Sequence, residues 1–81
     1  MNTLVSKVSE ARASDVWFDS DMLHVRLLDG REISSPLAWF PRLRDATADQ
    51  RAKWRLIGRG IGIHWEELDE DISVEFLLKG Y

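Results

Sequence analysis

Apolar and polar residues alternate most clearly from Met22 to Leu28, where Leu23, Val25 and Leu27 fall on one side and His24 and Arg26 on the other. A period of two predicts a half-buried strand. Ala11 to Phe18 predicts a weaker strand before it, closed by the turn-forming Asp19-Ser20-Asp21. Asp29-Gly30 comes next and predicts a two-residue hairpin, because a type I′ turn needs positive φ at both central positions. Arg31 to Ser34 then returns as a short third strand with Ile33 facing inward.

Beyond the meander the period changes. Ser35 reads as an N-cap and Pro36 as the first residue of one helical turn, Leu37 to Phe40, which ends at Pro41. Thr47 with Gln50 three residues on is a capping-box pair and predicts the main helix, Ala48 to about Arg55, with Asp49 and Lys53 four apart on its surface. From residue 56 to 65, Ile61, Ile63 and Trp65 share one face of a fourth strand and Gly60, Gly62 and His64 the other, so a neighbouring backbone can come close to the glycine side. Asp71 or Ser73 caps a short closing helix through Phe76, Leu77 and Leu78, with Gly80 as its stop. The expected fold is α+β in a single domain, residues 1–81. It has a small, mostly antiparallel sheet (a three-stranded meander plus a fourth strand), one main helix and a short C-terminal helix.

Composition narrows the function. With 81 residues the chain is near the lower end of self-supporting domains, and four tryptophans and three phenylalanines are a heavy aromatic load for so small a core. There is no cysteine, which excludes disulfides, thiolate zinc sites and cysteine nucleophiles. No apolar run is long enough to span a bilayer, and the first fifteen residues carry Glu10 and Asp15 without the apolar stretch of a leader. The expectation is a soluble, uncleaved, cytoplasmic protein with no membrane partner. The net charge of -3 argues against non-specific nucleic-acid binding. That total hides a strong polarity. Residues 42–59 hold Arg42, Arg44, Arg51, Lys53, Arg55 and Arg59 against Asp45 and Asp49, a balance of +4, and the rest of the chain stands at -7.

Little in the sequence assembles into catalytic chemistry. The acidic run Glu66, Glu67, Asp69, Glu70 and Asp71 points its carboxylates in several directions, and helix capping with solvated glutamates explains it better than a metal site. His64 lacks the spaced partners of a metal motif and reads as a strand histidine bonded to a neighbour. The serines show no Gly-x-Ser-x-Gly elbow and no evident Ser–His–Asp set. Gly58, Gly60 and Gly62 lack the lysine and helix start of a phosphate loop. No enzyme activity, cofactor, metal or small-molecule substrate is expected.

Several segments taken in order resemble a known family. They are Leu23 to Gly30, Pro36-Leu37 with Phe40-Pro41-Arg42-Leu43, Ala46-Thr47 with Gln50-Arg51, and above all Ile63-His64-Trp65 followed by Leu68-Asp69-Glu70-Asp71-Ile72-Ser73-Val74 and Leu77-Leu78. Together they resemble the small bacterial family known as domain of unknown function 2442, over about residues 8 to 80. Glu66 stands where many members carry proline after the tryptophan. The resemblance implies a small α+β domain. It also implies either an antitoxin-like protein that pairs with a second small protein, or a regulator that carries an added helix-turn-helix, for which this chain has no room after residue 80.

The functional expectation is therefore a non-catalytic macromolecule-binding module, most simply an antitoxin-like or inhibitor protein that binds a protein partner or a second copy of itself. The alternative is a DNA-binding transcriptional regulator that uses the basic segment 42–59. Against both stands a plainer reading, in which that segment is a solvated helix face or an internal match to the acidic run at 66–71. The expected partner-binding residues are Trp39, Phe40, Arg42, Arg44, Arg51 and Arg55, because aromatic and arginine side chains dominate interface hot spots.

Overall fold

A computed structural model of the chain describes residues 11–79. The chain is α+β, and the described residues form two antiparallel three-stranded sheets and three short helices. The first sheet is a meander of β1 (Ala13–Phe18), β2 (Met22–Leu27) and β3 (Glu32–Pro36). Val16 pairs with Val25 and Val25 with Ile33, so Val16, Leu23, Val25 and Leu27 enter the core from one face.

The connection from β2 to β3 corrects the expected two-residue turn. The Leu27 N–H donates to the Arg31 carbonyl at 2.8 Å and the Gly30 N–H to the Leu27 carbonyl at 2.9 Å, which leaves a three-residue loop. Only Gly30 in that loop has positive φ, at 96°, so a type I′ turn is excluded. β3 also runs further than expected. Ser35 is buried opposite Leu23, and Pro36 is extended at the end of an edge strand, where proline is tolerated. Neither residue starts a helix as the sequence suggested. Leu37–Trp39 form a 3₁₀ turn instead, and Pro41 opens a separate helix, α1 (Pro41–Arg44).

The predicted capping box is present. The Gln50 N–H donates to Thr47 Oγ1, and the Thr47 N–H to Gln50 Oε1, both at 3.0 Å. The helix it opens, α2, covers only Ala48–Arg51. It is no main helix, because Trp54 already belongs to the second sheet. That sheet is β4 (Trp54–Ile57), β5 (Gly62–Trp65) and β6 (Glu70–Ser73). The single fourth strand expected over 56–65 is thus a hairpin. Gly58, Arg59 and Gly60 all have positive φ (58°, 58° and 97°), and three left-handed residues in succession reverse the chain. β6 replaces the expected cap. Asp71 pairs with His64 across the sheet, and only Ser73 caps, its Oγ accepting the Phe76 N–H at 3.0 Å at the start of α3 (Val74–Lys79).

Both sheets feed one core. Leu23, Val25 and Leu27 from the first meet Ile63, Trp65 and Ile72 from the second, closed by Leu37, Phe40 and Leu43 and by Val74 and Leu77 of α3. Trp65 is fully buried, and its indole N–H donates to the Arg51 carbonyl at 3.0 Å. No helix among the described residues is long and apolar enough to cross a membrane. The reading of the N-terminus as free of a leader, and Gly80 as the stop of the last helix, fall largely or wholly outside the described residues.

Candidate functional site

The basic segment 42–59 and the acidic run 66–71 fold against each other. Arg42 donates from one guanidinium nitrogen to the carbonyls of Leu68 (3.2 Å) and Asp69 (2.7 Å) and lies 3.9 Å from the Asp69 carboxylate. It thereby pins the β5–β6 turn, in which Asp69 takes a left-handed conformation at φ 51°. Lys53 bridges Asp49 (3.2 Å) and Glu67 (3.1 Å), and its ammonium pKa is raised, first by the bond to Glu67. Arg55 pairs with Glu66 at 3.3 Å. Arg44 binds the adjacent Asp45, which raises its pKa and lowers that of Asp45.

Arg51 is the most structural of the predicted site residues. Its Nε donates to the Leu43 carbonyl at 2.8 Å and an Nη to the Arg44 carbonyl at 2.7 Å, so a cation closes the end of α1 where the helix dipole favours positive charge. The same guanidinium lies 5.8 Å from the centre of the Phe18 ring. Of the two aromatic candidates, Phe40 is buried and forms part of the core, which corrects its reading as an exposed anchor. Trp39 is 44% exposed. Its ring centre is 6.4 Å from that of Phe40, and Phe76 meets the far side of Phe40 edge-on at 6.1 Å. Trp39 is close to Arg42 and Arg44 in the chain, but those two side chains are engaged with the β5–β6 turn and with Asp45, Arg51 with carbonyls of α1, and Arg55 with Glu66.

Two histidine clusters lie on the outer sheet faces. On the second sheet, His64 bonds through Nδ1 to Asp71 and through Nε2 to Glu66 at 3.2 Å. The bond to Asp71 raises the imidazole pKa against the effect of partial burial. On the opposite face of the same sheet Glu70 is partly buried, and desolvation raises its carboxyl pKa. On the first sheet, His24 Nε2 meets Asp19 Oδ2 at 2.8 Å and Nδ1 meets Ser34 Oγ at 2.7 Å. This Asp19–His24–Ser34 chain was not evident in the sequence, because the three residues come from a turn and two strands. The chain links the β1–β2 turn to β2 and β3. Ser34 is exposed on an edge strand directly opposite His24, and Trp17 stacks on His24 at 5.5 Å. Asp19 also accepts the Asp21 and Met22 N–H groups with its other oxygen, and these bonds, the His24 bond foremost, hold its pKa near 2. Among the described residues no three His, Asp or Glu side chains converge as metal ligands would.

The family model described as "Protein of unknown function (DUF2442)" matches residues 13–81. The chain belongs to this family. It is also similar to a protein of unknown function from Rhodospirillum rubrum ATCC 11170, whose crystal structure at 2.75 Å resolution is 34% identical in sequence over 89% of each chain, with a TM-score of 0.76. Comparison with curated proteins gives no match. In this member of DUF2442 the turn after Trp65, where Glu66 stands, is held by Arg42 from α1, by Lys53 and by Arg55 of β4, so segments 42–59 and 66–71 match each other within the fold.

Proposed function

We propose that this DUF2442 protein is a non-catalytic, cytoplasmic protein-binding module, antitoxin-like or inhibitory, whose contact surface centres on Trp39. The observation that carries the reading is the exposed indole on a short turn bounded by Pro36 and Pro41. An aromatic group on a stiff support loses little conformational entropy on binding, and Trp and Arg are the residues that interface hot spots favour. The internal pairing of Arg42, Lys53 and Arg55 supports a protein partner over DNA. Phosphates would have to compete with carbonyls and carboxylates already in place, and the affinity of a DNA-binding surface rests on phosphate contacts.

The test compares wild-type and Trp39→Ala chains immobilised in an extract of the native host. A protein held by the wild type and released by the variant, with affinity reduced about 30-fold, is the expected result for a hot-spot tryptophan. Equal retention by both chains overturns the assignment to Trp39. Salt-dependent retention of duplex DNA in place of any protein overturns the protein-binding reading and favours the regulator.

A further inference from the structure

Trp17, His24 and Ser34 form one row across the outer face of the first sheet, because His24 lies opposite Trp17 on β1 and opposite Ser34 on β3. The Leu27–Arg31 hydrogen bond sets the alternation along β2 and β3. Val25–Ile33 and Leu23–Ser35 are therefore hydrogen-bonded pairs, and His24–Ser34 is a non-hydrogen-bonded one. Side chains stand closest in pairs of that kind, and the Ser34 N–H points away from β2 toward the outer edge of the sheet. Three contacts hold the imidazole in one orientation. Nε2 is 2.8 Å from Asp19 Oδ2, Nδ1 is 2.7 Å from Ser34 Oγ, and the Trp17 ring stacks on it only 19° from parallel. The Asp19 carboxyl, held near 2 first by its His24 bond, is ionised at neutral pH and can only accept. In the neutral imidazole that bond uses the Nε2 proton. The Nδ1 lone pair then faces the serine, and the Ser34 hydroxyl donates to it.

We propose that Ser34 is an activated nucleophile and a site of covalent acylation, with His24 as its base and Asp19 as the residue that positions His24. A hydroxyl, a base within hydrogen-bond reach and a third group that orients the base are what serine acylation needs. The ring is turned over relative to serine proteases, whose acid faces Nδ1, but the two roles are filled in the same way. The donor class is an activated ester or thioester. Ser34 Oγ bonds to the carbonyl carbon, the bond from that carbon to the leaving oxygen or sulfur breaks, and His24 passes the serine proton to the leaving group. The Ser34 N–H is placed to donate to the carbonyl oxygen as negative charge builds there. Met22 and Pro36, paired one step along the same face and partly buried, offer an apolar shelf that suits a short acyl group. The acyl group is transferred once per chain. The proposal thus adds a modification site to a non-catalytic module and does not rest on the Trp39 reading.

The test incubates the full chain with p-nitrophenyl acetate and follows nitrophenolate release and intact mass, with the modified residue located by peptide fragmentation. A single acetyl group on Ser34 is expected. Ser34→Ala, which removes only an exposed hydroxyl, should lose that label, and His24→Gln should slow acylation of Ser34 about 100-fold. Asp19→Asn separates positioning from a purely structural role. Its remaining oxygen can still accept the Asp21 and Met22 N–H groups, while its amide N–H₂ faces His24 and drives the ring proton to Nδ1. Nitrogen NMR shifts of the His24 ring should therefore show the proton on Nε2 in the wild type and on Nδ1 in the variant, and acylation should slow with that change. Labelling confined to lysines or the N-terminus, equal labelling of wild type and Ser34→Ala, a His24→Gln chain acylated as fast as the wild type, or a wild-type ring proton on Nδ1 would each overturn the proposal.

Discussion

Replacing Gly60 by alanine should be among the most damaging single changes in the chain, and the reason lies in the seam between the two sheets. Gly60 has φ +97°, and a Cβ built on it would lie 2.6 Å from the Ala13 carbonyl oxygen and 3.1 Å from the Ala13 nitrogen. Both obstacles are backbone, so no side chain can rotate out of the way. The left-handed conformation alone costs an L-residue about 1–3 kcal/mol. Forcing the strand back adds about 1–3 kcal/mol, as overpacking does in cores. The lower entropy of the unfolded alanine chain returns only about 0.4–1 kcal/mol. The expected net loss is about 1–6 kcal/mol, set against the roughly 4–12 kcal/mol available to a domain of this length. Gly30→Ala supplies the control. Gly30 has nearly the same φ, +96°, but nothing within 4 Å of the added carbon, so only the conformational cost applies. Urea unfolding followed by tryptophan fluorescence measures both. If Gly60→Ala costs no more than Gly30→Ala, within about 0.5 kcal/mol, the close approach at Ala13 is not what holds the sheets in register, and the reasoning fails.

Trp65→Phe should cost about 2–4 kcal/mol in the same assay, because it opens a void in the core and strips the Arg51 carbonyl of its indole donor. A loss under about 1 kcal/mol would mean that this hydrogen bond and the packing around it contribute little. The raised pKa of His64 sets a pH dependence of defined sign: the contribution of the His64–Asp71 pair is complete below the ordinary imidazole value of 6.5 and is lost as pH rises through the higher folded value. Unfolding midpoints taken from pH 5 to 9 should therefore fall on the alkaline side, and His64→Asn should flatten that part of the profile.

The parts of the fold that could be read from the sequence are those set by neighbours in the chain. The alternation in β2, the position of the hairpin at Asp29-Gly30 and the Thr47–Gln50 capping box each depend on residues within a few positions of one another. The second sheet depends on partners farther away. Its strands are four residues long, too short for alternation to stand out, and β6 is disguised by its composition. Glu70 and Asp71 belong to types that strands generally lack, and only Ile72 is deeply buried. They are tolerated because β6 is an edge strand, with Asp71 on the outer face against His64. The helix predicted to reach Arg55 failed for the same reason. Trp54 and Leu56 share a side only in the extended reading, but two residues are too few for that period to stand out, and pairing of Trp54 with Trp65 decides for the strand.

At the candidate site the same distinction applies. The opposed charge of segments 42–59 and 66–71 was visible, and so was the possibility that they match each other. Which cation meets which acceptor was not, since Arg42 and Arg51 bind backbone carbonyls, which no sequence pattern marks. The choice between Trp39 and Phe40 is more instructive, because a single geometric fact settles it. In a 3₁₀ turn residues three apart lie on one side. Leu37 is fixed inward by the strand that precedes it, its N–H bonded to the Asp21 carbonyl at 2.9 Å, and Phe40, three residues on, donates to the Leu37 carbonyl at 2.9 Å and is buried with it. Trp39 is thereby turned outward by the register of β3. The larger aromatic is left on the surface. Because this constraint leaves Trp39 44% exposed, Trp39 is the first position at which to test for a partner.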